Sequence, residues 1–133
     1  MYKTSRAQTT HDPTIPERSG WEGMRVHWLA DGDHGGTETT VVNVTELPPN
    51  RSHEVHRHPH AEEYFFVLEG SGLHLSDSEP VRLERGDLVF VRKGEWHGFA
   101  NDTDEPALAI AVMGGVAHYS EAGYDLLRRQ AGA

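Results

Sequence analysis

From Met24 to Met113 this chain never runs far without a stop: short apolar or alternating runs recur, each closed within a few residues by Gly, Pro, Asn or Asp. Spacing of that kind leaves room for strands of about four to eight residues and none for a helix of three turns. Strands are predicted over 24–29, 37–47, 51–57, 63–69, 73–76, 81–84, 87–91, 97–101 and 106–113. In the first, Met24, Val26 and Trp28 alternate with Arg25 and His27, and the second is rich in Thr and Val, whose β-branched side chains suit a pleated surface. Many short strands with frequent turns predict an all-β antiparallel sandwich or barrel. Residues 1–20 carry two prolines and no periodicity, so they read as an irregular N-terminal arm packed only in part. Residues 21–118 form the barrel domain. A helix packed on the barrel is expected over 119–133, where Tyr124, Leu126 and Leu127 are apolar and Arg128 and Arg129 sit near the C-terminal end, favoured there by the helix dipole.

The 133 residues suit one domain with a core of its own. A formal net charge of −9 argues against a nucleic-acid partner and against an anionic membrane surface, both of which are bound through Lys and Arg. With no cysteine, thiolate metal sites, iron–sulfur clusters and cysteine nucleophiles are excluded together. No stretch approaches the roughly 18 apolar residues of a membrane span, and the expected location is the cytoplasm.

Four of the ten histidines fall within residues 53–60. His56 and His58 are two apart, so on a strand they share a face, and Glu63 reaches that face from the next strand across a turn containing Pro59. His97 supplies a further imidazole from a separate strand. Nitrogen and carboxylate ligands together suit a divalent transition ion better than magnesium or calcium.

The two stretches that carry these residues resemble the two motifs of the cupin superfamily. The first places Asn50, His56, His58, Glu63 and Gly70 at the family's spacing, with Asn50 where Gly is usual; the second places Gly86, Gly94, His97 and Asn101, with Arg92 in place of a usual Pro. Asn tolerates a left-handed turn better than most residues, and neither departure touches a ligand. The resemblance implies a jelly-roll β-barrel whose cavity holds one divalent ion on His56, His58, Glu63 and His97, iron first, with Mn, Ni, Zn or Cu as alternatives. It also implies a range of activities that includes dioxygenases, decarboxylases, lyases, isomerases and polyketide cyclases, among which fold does not select.

Three imidazoles and one carboxylate can hold a redox-active ion, which tilts the expectation towards oxygenase chemistry on a small polar metabolite over Lewis-acid cyclisation, isomerisation or elimination. The alternative is a non-catalytic cupin that sequesters or senses a small molecule. His60 and Glu54 are the acid/base candidates nearest in sequence, and His53 and His60 are otherwise expected on the rim. Phe65, Val67, Trp96 and Phe99 are the candidate pocket wall, with Trp96 placed to gate the mouth, and His74 can face the cavity. Tyr64, Phe66 and Leu68 make the second face of their strand apolar as well, which suits a central strand or one covered by a second subunit, and the resemblance to cupins implies a homodimer.

Overall fold

The structure is a computed structural model that describes residues 1–127. Its strands in chain order are β1 (Arg25–Ala30), β2 (Thr40–Leu47), β3 (Arg51–Arg57), β4 (Glu62–Glu69), β5 (Gly72–Leu75), β6 (Val81–Leu83), β7 (Leu88–Val91), β8 (His97–Asn101), β9 (Ala107–Gly114) and β10 (Asp125–Leu126). They form two five-stranded sheets, β1-β2-β9-β4-β7 and β10-β3-β8-β5-β6, with antiparallel pairing throughout. This is the two-sheet antiparallel architecture expected from the strand spacing and the jelly roll that the family resemblance implies.

Alternation along the strands decides what lies between the sheets. On β9, Ala107, Ala109, Ala111 and Met113 are buried while the residues between them are half-exposed. Because three of the four inward side chains are alanines, the barrel keeps internal space that larger residues would fill. Val26, Leu47, Val67, Leu83 and Phe99 close the core around that space. The polar Asn101 is buried without penalty because its Nδ2 donates to the carbonyls of Leu47 and Glu105, while its Oδ1 accepts from the backbone and hydroxyl of Thr103. Asn50, in the position where the first motif usually has Gly, adopts φ 56°, the left-handed conformation that Asn accepts at low cost.

β3 departs from a regular strand. His53 pairs with Phe99 and His56 with His97, so three steps along β3 match two along β8, and one residue is extra. This β-bulge turns His53 and His56 to the same side despite their odd spacing. Gly98 sits opposite it, where an added Cβ would lie 2.8 Å from the carbonyl oxygen of His53 and 3.1 Å from that of Glu54.

The arm is irregular apart from a 3-10 turn at Arg6–Gln8, and it is anchored more firmly than its composition suggests. Asp12 N donates to Val26 O, Trp28 Nε1 donates to Asp12 Oδ2, and Ile15, Trp21 and Met24 join the core. The helix expected over 119–133 is not found in the described part. Tyr119–Glu121 form one 3-10 turn, Gly123 takes φ 79°, and the chain then extends as β10 against β3, tied by the Arg57–Asp125 ion pair at 2.9 Å. A left-handed residue cannot continue a right-handed helix, so the apolar spacing of Tyr124 and Leu127 is overridden locally. Residues 128–133, including Arg128 and Arg129, lie outside the described residues. Among the described residues no helix is long and apolar enough to cross a membrane.

Gly98→Ala is expected to destabilise the fold by about 1–3 kcal/mol, since backbone must move to admit one methyl group. Urea unfolding monitored by tryptophan fluorescence measures this, and an unchanged midpoint would contradict the close approach described for Gly98.

Candidate metal centre

His56 near the end of β3, His58 just beyond it, Glu63 near the start of β4 and His97 at the start of β8 gather at one end of the barrel. The register brings them there: His56 stands directly opposite His97, and Glu63 lies between Val91 of β7 and Met113 of β9. All four are buried, the imidazoles at 2%, 2% and 5% exposure and Glu63 at 8%. The three imidazoles offer nitrogens within 4.8 Å of one another. Glu63 closes on two of them, 3.2 Å from His97 Nε2 and 3.8 Å from His58 Nε2.

Each ring is held through its far nitrogen. Nδ1 of His56 lies 2.7 Å from the carbonyl of Glu54, Nδ1 of His58 2.8 Å from that of Gly123, and Nδ1 of His97 3.0 Å from that of Glu95. A carbonyl can only accept, so Nδ1 carries the proton in all three and a neutral ring keeps its lone pair on Nε2. His56 and His58 are held neutral mainly by burial, which pushes their pKa values down. Burial acts the same way on His97, but the Glu63 carboxylate beside it outweighs burial and raises the pKa. Burial alone would raise the Glu63 pKa; the neighbouring His97, His58 and His53 instead bring it below the ordinary value.

These features fit a divalent ion. His97 Nε2 is sealed from solvent with no aligned hydrogen-bond partner, even at 3.2 Å from the carboxylate. Three imidazoles with backbone-fixed Nδ1 protons and one ionised carboxylate are a donor set for a transition metal, with the outer hydrogen bonds that orient metal-binding histidines already made. The adjoining cavity has a volume of about 50 Å³ and is mostly apolar, walled in part by Phe65, Phe99 and Met113.

The pocket expectations divide. Phe65 and Phe99 line the cavity with ring centroids 5.4 Å apart. Val67 is core, 1% exposed, and does not reach the lining. Trp96 is also outside the lining, because its ring is covered by the Arg57 guanidinium at 4.6 Å, so it does not gate the mouth. His60 is exposed and Glu54 is turned to the Tyr124 hydroxyl at 2.7 Å; neither lines the cavity, which removes the geometric basis for either as acid or base.

Residues given lesser roles, or none, complete the site. His53, expected on the rim, lines the cavity, with its Nε2 sealed and unpartnered, because the bulge reverses the face that regular alternation assigns it. His74 lines it as well. Trp21, just after the arm, and Tyr119 from beyond β9 also line it, while Tyr124 stacks on His56 with centroids 4.7 Å apart and an interplanar angle of 19°. A bond chain fixes this cover: Trp21 Nε1 donates to Tyr124 Oη, which donates to Glu54, and Arg18 lies 4.5 Å over Trp21. A tryptophan following a Gly in a proline-bearing arm is the sole trace of this arrangement in the sequence.

The profile of the family described as the cupin domain matches residues 43–113. Tetracenomycin polyketide synthase protein TcmJ of Streptomyces glaucescens is 34% identical over 89 residues, which cover 67% of this chain and 60% of that protein. Gentisate 1,2-dioxygenase of a Ralstonia species is 30% identical over 110 residues, covering 77% of this chain and 30% of the enzyme. The chain therefore spans about three-fifths of the first relative's length and under a third of the second's. Among solved structures, the polyketide cyclase RemF of Streptomyces resistomycificus superposes with a TM-score of 0.81 at 21% identity, over 98% of this chain and 87% of that one.

Two measurements test the site. Glu63→Gln is expected to lower metal affinity by at least about tenfold, read by competition with a chromophoric chelator, because the charge facing His58 and His97 is lost. In metal-free protein, His53, His56 and His58 have folded pKa values below the ordinary 6.5, about 3 for His53, so the unfolded chain binds more protons in that window. The contribution of His53 to stability is complete above pH 6.5 and is lost as pH falls towards 3, by up to about 1.4 kcal/mol per pH unit, and His56 and His58 act in the same direction. His97, raised, works in the opposite sense. A thermal midpoint that rose on acidification from pH 7 to 5 would contradict the neutral assignment.

Proposed function

The chain belongs to the cupin domain family, and from that premise we propose that it is a metal-dependent enzyme acting on a small oxygenated molecule at a divalent ion held by His56, His58, His97 and Glu63. The observation that carries this reading is the set of three buried imidazoles, each with Nδ1 spent on a backbone carbonyl, opening onto an apolar cavity. When bound, the ion supplies Lewis acidity at a carbonyl or enol oxygen.

The protein's own groups do the rest. Phe65, Phe99 and Met113 keep water from the reacting end of the ligand, which strengthens every polar contact made there. His53 Nε2 and Tyr119 Oη, both sealed and without a hydrogen-bond partner, are the polar contacts left for ligand oxygens. Burial pushes the Tyr119 pKa up, so it remains a hydroxyl and donates.

Enolisation or cyclisation is the preferred chemistry. TcmJ and RemF support it, and the likeness to RemF runs over 98% of the chain, beyond residues 43–113 and into the segments that contribute Trp21 and Tyr119. The alignment with gentisate 1,2-dioxygenase favours the second reading, an iron-dependent oxygenase.

Elemental analysis of untagged protein, purified without chelator or added metal, separates them. Near-stoichiometric zinc, nickel or manganese is expected under the first reading; iron, with substrate-dependent oxygen consumption, would establish the second. No metal and no uptake on reconstitution would refute both and leave a non-catalytic binding protein. His53→Phe is expected to leave metal content unchanged and to weaken turnover or ligand binding by about tenfold, the cost of one lost hydrogen bond.

A further inference from the structure

Away from the metal centre, the turn after β1 and the segment after β9 bring a second set of donors together. Asp31, Asp33 and His118 each offer one ligand atom, and these atoms lie within 4.8 Å of one another. None of the three lines the cavity. Asp31 is 7% exposed, and among the described residues it and Glu63 are the two buried carboxylates. Neither has a Lys or Arg in ion-pair reach among the described residues; the groups facing them are imidazoles. A carboxylate removed from water needs a positive charge close by, and a neutral imidazole does not supply one.

The donors are placed by contacts of their own. Asp31 Oδ1 lies 2.8 Å from Asp33 N, His34 N and His34 Nδ1, while Asp31 Oδ2 is left without a hydrogen bond among the described residues. His118 Nδ1 stands 3.5 Å from Asp33 Oδ2. That is too long for a good hydrogen bond, but it is the separation of two donors each about 2.1 Å from one tetrahedral ion. The imidazole is seated on the turn. At Gly32 an added Cβ would lie 2.5 Å from both Cε1 and Nε2 of His118, so the ring fits only because residue 32 has no side chain. Gly32 N donates to Ala117 O at 2.7 Å and His118 N donates to Glu121 Oε1 at 3.0 Å, which hold the two segments in register. The side chains of Asp33 and His118 are 79% and 40% exposed, which leaves a solvent side for water to complete a coordination shell.

We propose that Asp31, Asp33 and His118 form a second divalent-ion site, which takes zinc or manganese through two carboxylates and one imidazole. Mixed oxygen and nitrogen donors suit these ions, and a chain of net charge −9 raises the local concentration of cations. The site does not depend on the chemistry at His56, His58 and His97. It joins the turn after β1 to the segment that carries Tyr119, the residue directly after His118 and part of the cavity lining. An ion there ties down that segment without entering the cavity.

Equilibrium dialysis of the full chain against zinc at about 10 µM free ion, where a site of micromolar Kd is about nine-tenths filled, followed by elemental analysis, counts the ions. Two per chain are expected for the unaltered protein. His118→Ala and the exposed Asp33→Asn are each expected to remove one, with an affinity loss at the second site of at least about tenfold. Carbethoxylation by diethyl pyrocarbonate, mapped by peptide mass spectrometry on the unaltered protein, needs no variant: zinc should protect His118 and leave the exposed His60 open to reaction. An ion count that neither variant changes would overturn the proposal, and so would labelling of His118 that zinc does not slow. A single ion lost with His118→Ala and kept in His56→Ala/His97→Ala would support this site and count against the metal centre. The reverse pattern would overturn this site and leave the metal centre standing.

Discussion

The site depends on one irregularity in hydrogen-bonded register, the extra residue that β3 carries opposite Gly98. Without it, regular alternation would turn His53 away from the face that His56 and His58 share. With it, the carbonyl of Glu54 is placed to accept from His56 Nδ1, and the side chain of Glu54 leaves the barrel to receive the Tyr124 hydroxyl. One bulge thereby sets a tautomer, adds a polar atom to the cavity and fastens the cover over the metal centre. The absence of a side chain at Gly98 is what allows the two strands to come so close.

Around that irregularity the energetics are those of a buried polar cluster. Three imidazoles and a carboxylate removed from water would be costly if charged and unpaired. The chain offsets that cost by keeping His56 and His58 neutral, by giving each Nδ1 a carbonyl, and by setting the one charge, on Glu63, between His58 and His97. Proton and metal compete for the same Nε2 lone pairs, so the features that keep the rings neutral also prepare them as ligands. Ala111 of β9 lines the space into which those lone pairs open.

The segments outside the family match supply the individual character of the cavity. Trp21 and Tyr119 reach its lining from opposite ends of the described chain, and Arg18, Tyr124 and Glu54 bind the two ends together over the histidines. Aromatic rings in the lining and two unpartnered polar atoms give the cavity both hydrocarbon and hydrogen-bonding capacity.

The sequence by itself determined the succession of the first nine strands along the chain, because Gly, Pro, Asn and Asp interrupt residues 24–113 too often for helices, and β8 begins and ends where its residues predict. It also determined the ligand candidates, since His56 and His58 at a spacing of two must share a face and Asn50, Gly70, Gly94 and Asn101 mark the turns around them. Only the tertiary structure decided the pocket. Trp96 left it for the Arg57 guanidinium, His53 entered it through a bulge that a period of two cannot express, and the segment after Gly123 became a strand because β3 offered an open edge. Periodicity reports which side of an ideal element a residue occupies; bulges, edges and distant aromatic partners exist only once the strands have found one another.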